Sequence, residues 1–203
     1  MISAHWDTRP WAENSSTIMR KNQPIIGAND GASGVAVILE LAKIMKKNPP
    51  PIGVSLVLFD AEDYGTSADS WSYAKGSQFF AQNIPINYPM YAINLDMIAD
   101  REPEFYIERY SYQQNPTLVL ELWELAESLN LDTFKKQAKY TIFDDHVPLY
   151  QMAGIPAIDI IDFDFPNEKT NYHHTHQDIV QNCSPKGLGE VGTLMLNHIY
   201  NIK

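Results

Sequence analysis

Two adjacent carboxylates, Glu62 and Asp63, stand just after the apolar run from Val54 to Phe59. Such a run is typical of a buried strand, in which neighbouring side chains point to opposite faces. The two acids can therefore do different chemistry, because one can hold a metal ion while the other accepts and donates protons. An ordinary solvated turn has the same composition, so the interpretation depends on partners elsewhere in the chain.

Other acids and a histidine occupy comparable places at strand ends and in turns. His5 and Asp7 project from the same face of a predicted strand end, because they are two positions apart. Asp30 lies in a glycine-rich turn directly before a predicted helix, and Asp96 ends a second buried strand. In isolation the His5-x-Asp7 pair is more often an ordinary polar strand end, and Asp30 is equally well a helix cap. Because strand ends in an α/β sheet converge on one crevice, however, we expect these groups to meet.

Two loops in the second half of the chain carry further candidates. The segment from Phe143 to Pro148 contains two adjacent acids, Asp144 and Asp145, and His146. A capping cluster for the helix that follows is an equally good interpretation of this segment. The segment from Tyr172 to Asp178 contains three of the six histidines, and such a concentration of imidazoles in a loop indicates a metal site.

Buried strands alternate with amphipathic helices along the chain, and these elements must position the candidate residues. Strands are predicted at Ile2 to Asp7, Val54 to Phe59, Tyr91 to Asp96 and Pro156 to Ile161, with an edge strand at Phe105 to Tyr110. Helices are predicted at Ser33 to Lys47, Lys75 to Gln82, Pro116 to Leu129 and Gly187 to Ile202. The segments Thr8 to Gln23 and Asp162 to Thr170 are predicted loops.

The composition predicts one acidic domain. With 203 residues, of which 44% are hydrophobic, the chain can bury one sizeable core. The net charge is -10, and basic residues cluster only in the pairs Lys46-Lys47 and Lys135-Lys136, which argues against nucleic acid or an anionic membrane as a partner. Because Cys183 is the only cysteine, an intramolecular disulfide and a zinc-thiolate cluster are excluded. Histidines and carboxylates must therefore hold any metal.

The apolar runs and the first residues of the chain indicate whether it carries a membrane span or a signal peptide. No apolar run reaches the length needed to cross a membrane, and Met1 to His5 lack the charged start and long apolar stretch of a signal peptide. The chain enters a strand almost at once, which is unusual for a complete domain. We therefore expect residues 1–203 to form a single catalytic domain that is truncated at its N-terminus.

The order of the candidate residues resembles that of metallopeptidase family 28, the co-catalytic zinc aminopeptidases, and of their relatives, the animal-type glutaminyl cyclases. The residues that carry the resemblance are His5, Asp30, Glu62, Asp63, Asp96 and His174. It covers nearly the whole chain. It implies an α/β fold with a central mixed, mostly parallel sheet sandwiched by helices, as in zinc exopeptidases, without the family's N-terminal strands.

The resemblance also implies a set of zinc ligands. In the aminopeptidases the acid matching Asp30 can bridge two zinc ions. The residues matching His5 and Asp96 complete the ligands of one ion, and those matching Asp63 and His174 complete the ligands of the other. The cyclases are similar to a one-zinc version that keeps Asp30, Asp63 and His174. The resemblance therefore implies zinc as the cofactor, with one ion in a cyclase and two in an aminopeptidase.

Individual segments divide between the two branches of the family. The turn from Gly27 to Gly34 is closer to the aminopeptidases. The segment from Phe143 to Pro148 and the pair Phe165-Pro166 resemble the cyclases, since aminopeptidases tend to have Ser in place of Asp144. The stretch from His5 to Ala12 is similar to bacterial members of the animal-type cyclases.

The chain departs from the cyclase pattern at two positions. His173 stands immediately before the zinc histidine, where cyclases commonly have a Trp that forms a wall of the substrate pocket. Asp63 stands where the ligand is usually Glu, and the shorter acid is found in the bacterial cyclase-like group. The first departure bears on substrate affinity and the second on the geometry of the zinc ligand.

On these grounds we predict a zinc-dependent glutaminyl cyclase, which converts an N-terminal Gln to pyroglutamate and releases ammonia. The predicted catalytic residues are Glu62 as general base, Asp96 and Asp144, and the predicted substrate-binding residues are Trp71, Phe165 and His173. The alternative is a dizinc aminopeptidase, with His5 and Asp96 holding the second ion. A binding protein on an inactive peptidase fold is disfavoured, because all ligands and the base are present. The expected partners are peptides or proteins with a free N-terminus, and the family likeness implies a periplasmic or secreted protein.

Overall fold

The computed structural model describes residues 1–85 and 87–202. Its helices are α1 (Ala32–Lys47), α2 (Lys75–Gln82), α3 (Arg109–Gln114), α4 (Pro116–Ser128), α5 (His146–Ala153) and α6 (Pro185–Asn201). Its strands are β1 (Ile2–His5), β2 (Leu56–Phe59), β3 (Ala92–Asp96), β4 (Phe105–Ile107), β5 (Phe134–Ala138), β6 (Ala157–Ile161), β7 (Pro166–Asn167) and β8 (Thr170–Asn171). None of the helices in these two ranges is long and apolar enough to cross a membrane.

Four strands form the central sheet, in the order β2-β1-β3-β6. Each of the three pairings between neighbours is parallel, so all four carboxyl ends lie at one edge of the sheet. Phe59, His5 and Asp96 are the last residues of β2, β1 and β3. The turns that carry the candidate acids therefore start from the same edge, where ligands bind in open α/β sheets.

Apolar side chains cover both faces of this sheet. Ile93, Leu95 and Ile158 belong to a large buried cluster that also contains residues of α1, α4 and α6. Ala92 and Ala157 point the other way, into a smaller cluster with residues of α2 and α5. Alternate strand residues thus face opposite helical layers. The predicted α/β fold, with a sheet between helices, is confirmed.

The predicted edge strand at Phe105 to Tyr110 is wrong in its second half. The strand β4 ends at Ile107, and α3 starts at Arg109 because Glu108 caps it: the Glu108 carboxylate accepts hydrogen bonds from the backbone N–H groups of Tyr110 and Ser111. β4 pairs in parallel with β5, which the sequence did not predict, in a separate two-stranded sheet. The predicted loop after β6 contains the short hairpin β7-β8.

Glu108 also supports the wall of the cleft described below. Its buried carboxylate lies 3.0 Å from the backbone N of Ile142 and 3.1 Å from His146 Nε2. Burial alone would raise the pKa of Glu108, but the hydrogen bond with His146 and the backbone hydrogen bonds from Ser111 and Tyr110 outweigh it and lower the pKa to about 2. The charged form of Glu108 is therefore favoured in the folded protein.

Replacing Glu108 with Gln is expected to lower the free energy of unfolding at pH 7 by about 2–3 kcal/mol, because charged acceptors form the stronger hydrogen bonds. Since the pKa of Glu108 is depressed in the folded state, its contribution is complete above the unfolded value of about 4.3 and is lost as the pH falls towards 2. Denaturant titrations at pH 7 and pH 3 should therefore give a large difference between wild type and variant at pH 7 and a smaller one at pH 3. An equal difference at both pH values would contradict this role of the charge.

Candidate functional site

Three buried side chains from two strand ends and one turn meet at the carboxyl edge of the sheet. His5 Nε2 lies 3.1 Å from Asp30 Oδ1 and 3.1 Å from Asp96 Oδ1. His5 comes from the end of β1, Asp96 from the end of β3, and Asp30 from the turn before α1. Their donor atoms are close enough to bind one ion together.

A second group of donors shares Asp30 with the first. His174 Nε2 lies 2.9 Å from Asp63 Oδ1 and 3.7 Å from Asp30 Oδ2. The two oxygens of Asp30 thus face different histidines, His5 on one side and His174 on the other. One donor atom each of Glu62, His5 and Asp63 also lie within 4.8 Å of one another.

The chemistry of these residues fits zinc. Asp30 Oδ2 and Asp63 Oδ2 are buried and have no hydrogen-bond partner among the described residues. Buried carboxylate oxygens are costly to leave without a partner, so a cation would compensate both. Imidazole nitrogens and carboxylate oxygens are ligands that zinc accepts in catalytic sites. Asp30, Asp63 and His174 would hold one ion, and His5 and Asp96, with Asp30 shared, a second.

Crowding of the acids shifts their protonation. Burial raises the pKa of Asp30 to about 8, and repulsion from Asp63 adds to the effect. Burial and the neighbouring Asp63 also raise the pKa of Glu62 well above its ordinary value. Burial would lower the pKa of His174, but hydrogen bonds with Asp63 and Glu13 raise it to about 10. A carboxyl group that releases its proton only with difficulty can return it, as acid-base catalysis requires.

Close backbone packing brings Asp30 to this position. The Asp178 carboxylate accepts hydrogen bonds from the backbone N of Asn29 at 2.7 Å and of Asp30 at 3.1 Å. A Cβ atom at Gly31 would overlap the His5 ring, so a larger residue would displace the His5 side chain. The glycine after Asp30 is therefore a requirement of the site.

The turn that carries Glu62 and Asp63 is held from two sides. Asp7 accepts hydrogen bonds from the backbone N of Glu62 and of Asp63, each at 3.1 Å, and its Oδ1 lies 3.4 Å from His5 Nδ1. Arg9 Nη1 donates to the carbonyl oxygens of Asp63 and Gly65. The His5-x-Asp7 pair thus joins one histidine to the turn that contains Glu62 and Asp63.

A cleft of about 290 Å³ opens over these groups. It is lined by Asp30, Glu62, Asp63, Ser67, Ser70, Tyr73, Asp96, Met97, Thr141, Ile142, Phe143, Asp144, Ile161, Phe163, His173 and His174. Glu62, Asp96 and Asp144 therefore share one cavity. Asp144 Oδ2 accepts a hydrogen bond of 2.8 Å from Asn94, and burial, with repulsion from Asp96, raises the pKa of Asp144. The cleft combines several carboxyl groups with apolar walls.

The three predicted substrate-binding residues lie in different surroundings. His173 lines the cleft and stacks on His174, with 3.6 Å between ring centroids. Phe165 does not line the cleft: it is fully buried and packs with Met97 and Ile161. The cis proline that follows Phe165 belongs to β7, and it is Phe163, two residues earlier, that faces the cavity.

Trp71 stands beside the cleft without lining it. Its ring contacts that of Phe143 edge-on, with 5.0 Å between centroids, and it borders a neighbouring cavity of about 430 Å³. Phe143, Ser70 and Thr141 line both cavities. Trp71 can therefore affect the cleft through Phe143.

Two residues with direct contacts to the site, Arg9 and Glu13, were not predicted. Glu13 Oε1 lies 3.0 Å from His174 Nδ1, and Arg9 donates to the Glu13 carboxylate. Both lie in a loop that has no apolar periodicity, and their partner His174 is 161 positions from Glu13 in the chain. The available signal was an arginine four positions before an acid in a predicted loop.

The sequence matches a known protein family, and both sequence and structure are similar to those of known enzymes. The model of the family described as Peptidase family M28 matches residues 1–199. The chain is 26% identical over 207 residues to Aminopeptidase YwaD of Bacillus subtilis. The alignment covers 98% of this chain and 40% of that protein, so the chain spans less than half of that relative's length. A leucine aminopeptidase precursor from Bacteroides thetaiotaomicron is similar in structure, with a TM-score of 0.94 and 35% identity over 100% of this chain and 71% of that one. A glutaminyl cyclase from the same organism is equally similar, with a TM-score of 0.94 and 34% identity over 100% of this chain and 72% of that one.

Proposed function

The chain belongs to peptidase family M28, and on this premise we propose that it is a zinc-dependent glutaminyl-peptide cyclotransferase. The reaction converts an N-terminal Gln of a peptide into pyroglutamate and releases ammonia. Both cyclases and aminopeptidases are among the similar proteins, so the family alone does not select the reaction. The residues of the cleft must do so.

The observation that carries the proposal is the position of Asp144. It lies in the same cavity as Glu62 and Asp96, and its pKa is raised by burial and by Asp96. Cyclisation within one substrate molecule needs groups that hold the attacking amine and the leaving nitrogen at once. An acid beside Glu62 and Asp96 that is not a proposed zinc ligand supplies such a group, whereas hydrolysis by a base and metal ions leaves Asp144 without an obvious task.

Each acid of the cleft has a defined part in this reaction. The chemistry that zinc supplies when held by Asp30, Asp63 and His174 is polarisation of the side-chain carbonyl of the N-terminal Gln. Glu62 takes a proton from the α-amine as its nitrogen bonds to the side-chain carbonyl carbon, and delivers that proton to the amide nitrogen, which leaves as ammonia. Asp96 and Asp144 orient the amine and the departing nitrogen. The peptide bonds stay intact.

The walls of the cleft fit a glutamine side chain at the start of a peptide. Ile142, Phe143 and Phe163 provide apolar surface in this cavity of about 290 Å³, beside the carboxyl groups. His173, rather than a Trp, stacks on His174 at one wall. We propose that the free N-terminal Gln of the substrate occupies this cleft.

Replacing Asp144 with Ser is expected to lower kcat/KM for a Gln-initiated peptide by about 100-fold, within the range attributed to a proton-handling group. The reason is loss of the acid that orients the leaving nitrogen. Zinc content should stay that of wild type, because Asp144 is outside the proposed zinc ligands. Steady-state kinetics with zinc analysis measures both, and a variant with full cyclase activity would remove Asp144 from the mechanism.

A dizinc aminopeptidase remains the second candidate, and the donor set around His5 favours it. His5 Nε2 lies 3.1 Å from oxygens of both Asp30 and Asp96, so a second ion has three candidate ligands. In that reaction water is the nucleophile in place of the amine, and Glu62 takes its proton. Both candidates use the same base.

Mass spectrometry of two short peptides separates the candidates. Zinc-loaded protein is incubated with a peptide that begins with Gln and with one that begins with Leu. Loss of ammonia from the first, with every peptide bond intact, is the result expected of a cyclase. Release of the free N-terminal residue from either peptide is the result expected of an aminopeptidase. A heat-inactivated sample controls for spontaneous cyclisation of Gln.

A further inference from the structure

We propose that Glu13 and Arg9 are positioning residues that couple His174 to the turn of Asp63. Glu13 holds the imidazole in the orientation and tautomer that zinc requires, and Arg9 fixes Glu13 to the backbone of Asp63. This inference rests on the proposed function only in taking His174 and Asp63 as zinc ligands. It concerns how the chain holds the metal, and it applies to a cyclase and to an aminopeptidase alike.

The first half of the coupling is a hydrogen bond on the far side of the imidazole. Glu13 Oε1 lies 3.0 Å from His174 Nδ1, while His174 Nε2 lies 2.9 Å from Asp63 Oδ1. A histidine binds a metal through a nitrogen that carries no proton, and the partner of the other nitrogen decides which one that is. With Nδ1–H donated to Glu13, Nε2 is left to the metal.

The second half is a fork of hydrogen bonds from Arg9. Its Nε lies 3.0 Å from Glu13 Oε1, and its Nη2 lies 2.6 Å from the same oxygen. Its Nη1 donates to the carbonyl oxygen of Gly65 at 2.9 Å and to that of Asp63. One planar guanidinium thus joins the carboxylate behind one ligand to the backbone of another.

The surroundings of Arg9 keep this fork in one conformation. The residue is only 2% exposed. Its guanidinium lies 4.6 Å from the centroid of the Trp11 ring and 5.4 Å from that of Tyr73, within the range of cation-π contacts. A buried guanidinium needs partners for its donors, and the carboxylate and two carbonyl oxygens provide them.

The contact between Glu13 and His174 is not needed merely to join the two loops. The backbone N of Asn14 donates to the His174 carbonyl oxygen, and its side chain donates to that of His173. The Ser15 hydroxyl accepts a hydrogen bond of 3.1 Å from the backbone N of His176. These bonds hold the same loops together without touching an imidazole nitrogen, so Ser15 offers a matched control.

The test measures zinc affinity by competition with a chromogenic chelator, which needs no turnover. Glu13→Leu is expected to weaken zinc binding by about 10- to 100-fold, the cost usual for the outer partner of a metal ligand. Glu13→Gln, which keeps an acceptor oxygen, should restore part of the loss. Ser15→Ala should stay within about twofold of wild type. An unchanged affinity in Glu13→Leu, or an equal loss in Ser15→Ala, would overturn the proposal.

Two further readouts separate positioning from general stability. Nitrogen-15 NMR of zinc-loaded protein should show His174 as the Nδ1–H tautomer in wild type, and a mixture or a shifted Nδ1 resonance in Glu13→Leu. Arg9→Lys should weaken zinc binding, and combining it with Glu13→Leu should add little, because both changes break one pathway. Strictly additive losses would contradict the coupling. Failure of the wild type to bind zinc at all would instead remove the proposed function, so the two failures are distinguishable.

Discussion

Replacing Glu62 with Gln is expected to lower kcat by about 10³-fold while zinc stays bound at wild-type stoichiometry. The amide keeps the size of the side chain but can neither take a proton from the substrate amine nor return it to the leaving nitrogen. Glu62 is suited to that exchange because burial and the neighbouring Asp63 raise its pKa. Its backbone N–H, which Asp7 accepts, is unaffected, so the turn should keep its conformation.

Single-turnover kinetics on a Gln-initiated peptide, together with metal analysis, measures both parts of this prediction. The matched control is Asp60→Asn, an exposed acid at the start of the same turn, which should retain wild-type kcat. If Glu62→Gln turns over at the wild-type rate, another group must be the base. If it loses zinc together with activity, Glu62 is a ligand rather than the base.

Replacing Asp30 with Asn is expected to abolish zinc binding and to lower activity by about 10³-fold or more, since a metal contributes several kcal/mol to such a transition state. The expected loss is large because one oxygen of Asp30 faces His5 and the other faces His174. The loss removes a donor from both candidate ion sites, whichever is used. Every reaction considered for this chain should therefore fail together.

The same substitution should raise the melting temperature of the metal-free protein. Burial and repulsion from Asp63 raise the pKa of Asp30 to about 8, so the folded state loses stability as the pH rises from about 4, the unfolded value, towards 8. A neutral amide of the same size removes that cost. Thermal melts in excess chelator at pH 8.5 measure it, with the exposed Glu40→Gln as control. A lower melting temperature in Asp30→Asn would show that its charge stabilises the fold.

Residue type and position along the chain were sufficient to predict the fold and the polar centre. Strand-ending acids such as Asp96 and turn acids such as Asp30 could be grouped because parallel strands bring their carboxyl ends together. The structure brings His5, Asp30, Asp63 and His174 within contact distance. Their roles as ligands stay predictions.

Features that depend on side-chain direction in loops could not be predicted in the same way. Phe165 and Phe163 are two residues apart, but only Phe163 faces the cleft, and no periodicity applies outside strands and helices. The strand that was predicted to extend to Tyr110 ends earlier, and α3 begins at Arg109, because the Glu108 side chain accepts hydrogen bonds from two backbone N–H groups. Such a cap is visible only when the start of the helix is already known.

The site's donors are far apart in the order of synthesis, and this has a consequence for how the protein acquires its metal. His174 and Asp63 are 111 positions apart, a distance that a ribosome covers in roughly 6–20 s. During that interval the emerging chain carries the acids but lacks the imidazole that completes their site. Zinc uptake at this site should therefore be a late event in maturation, after the C-terminal loops have folded.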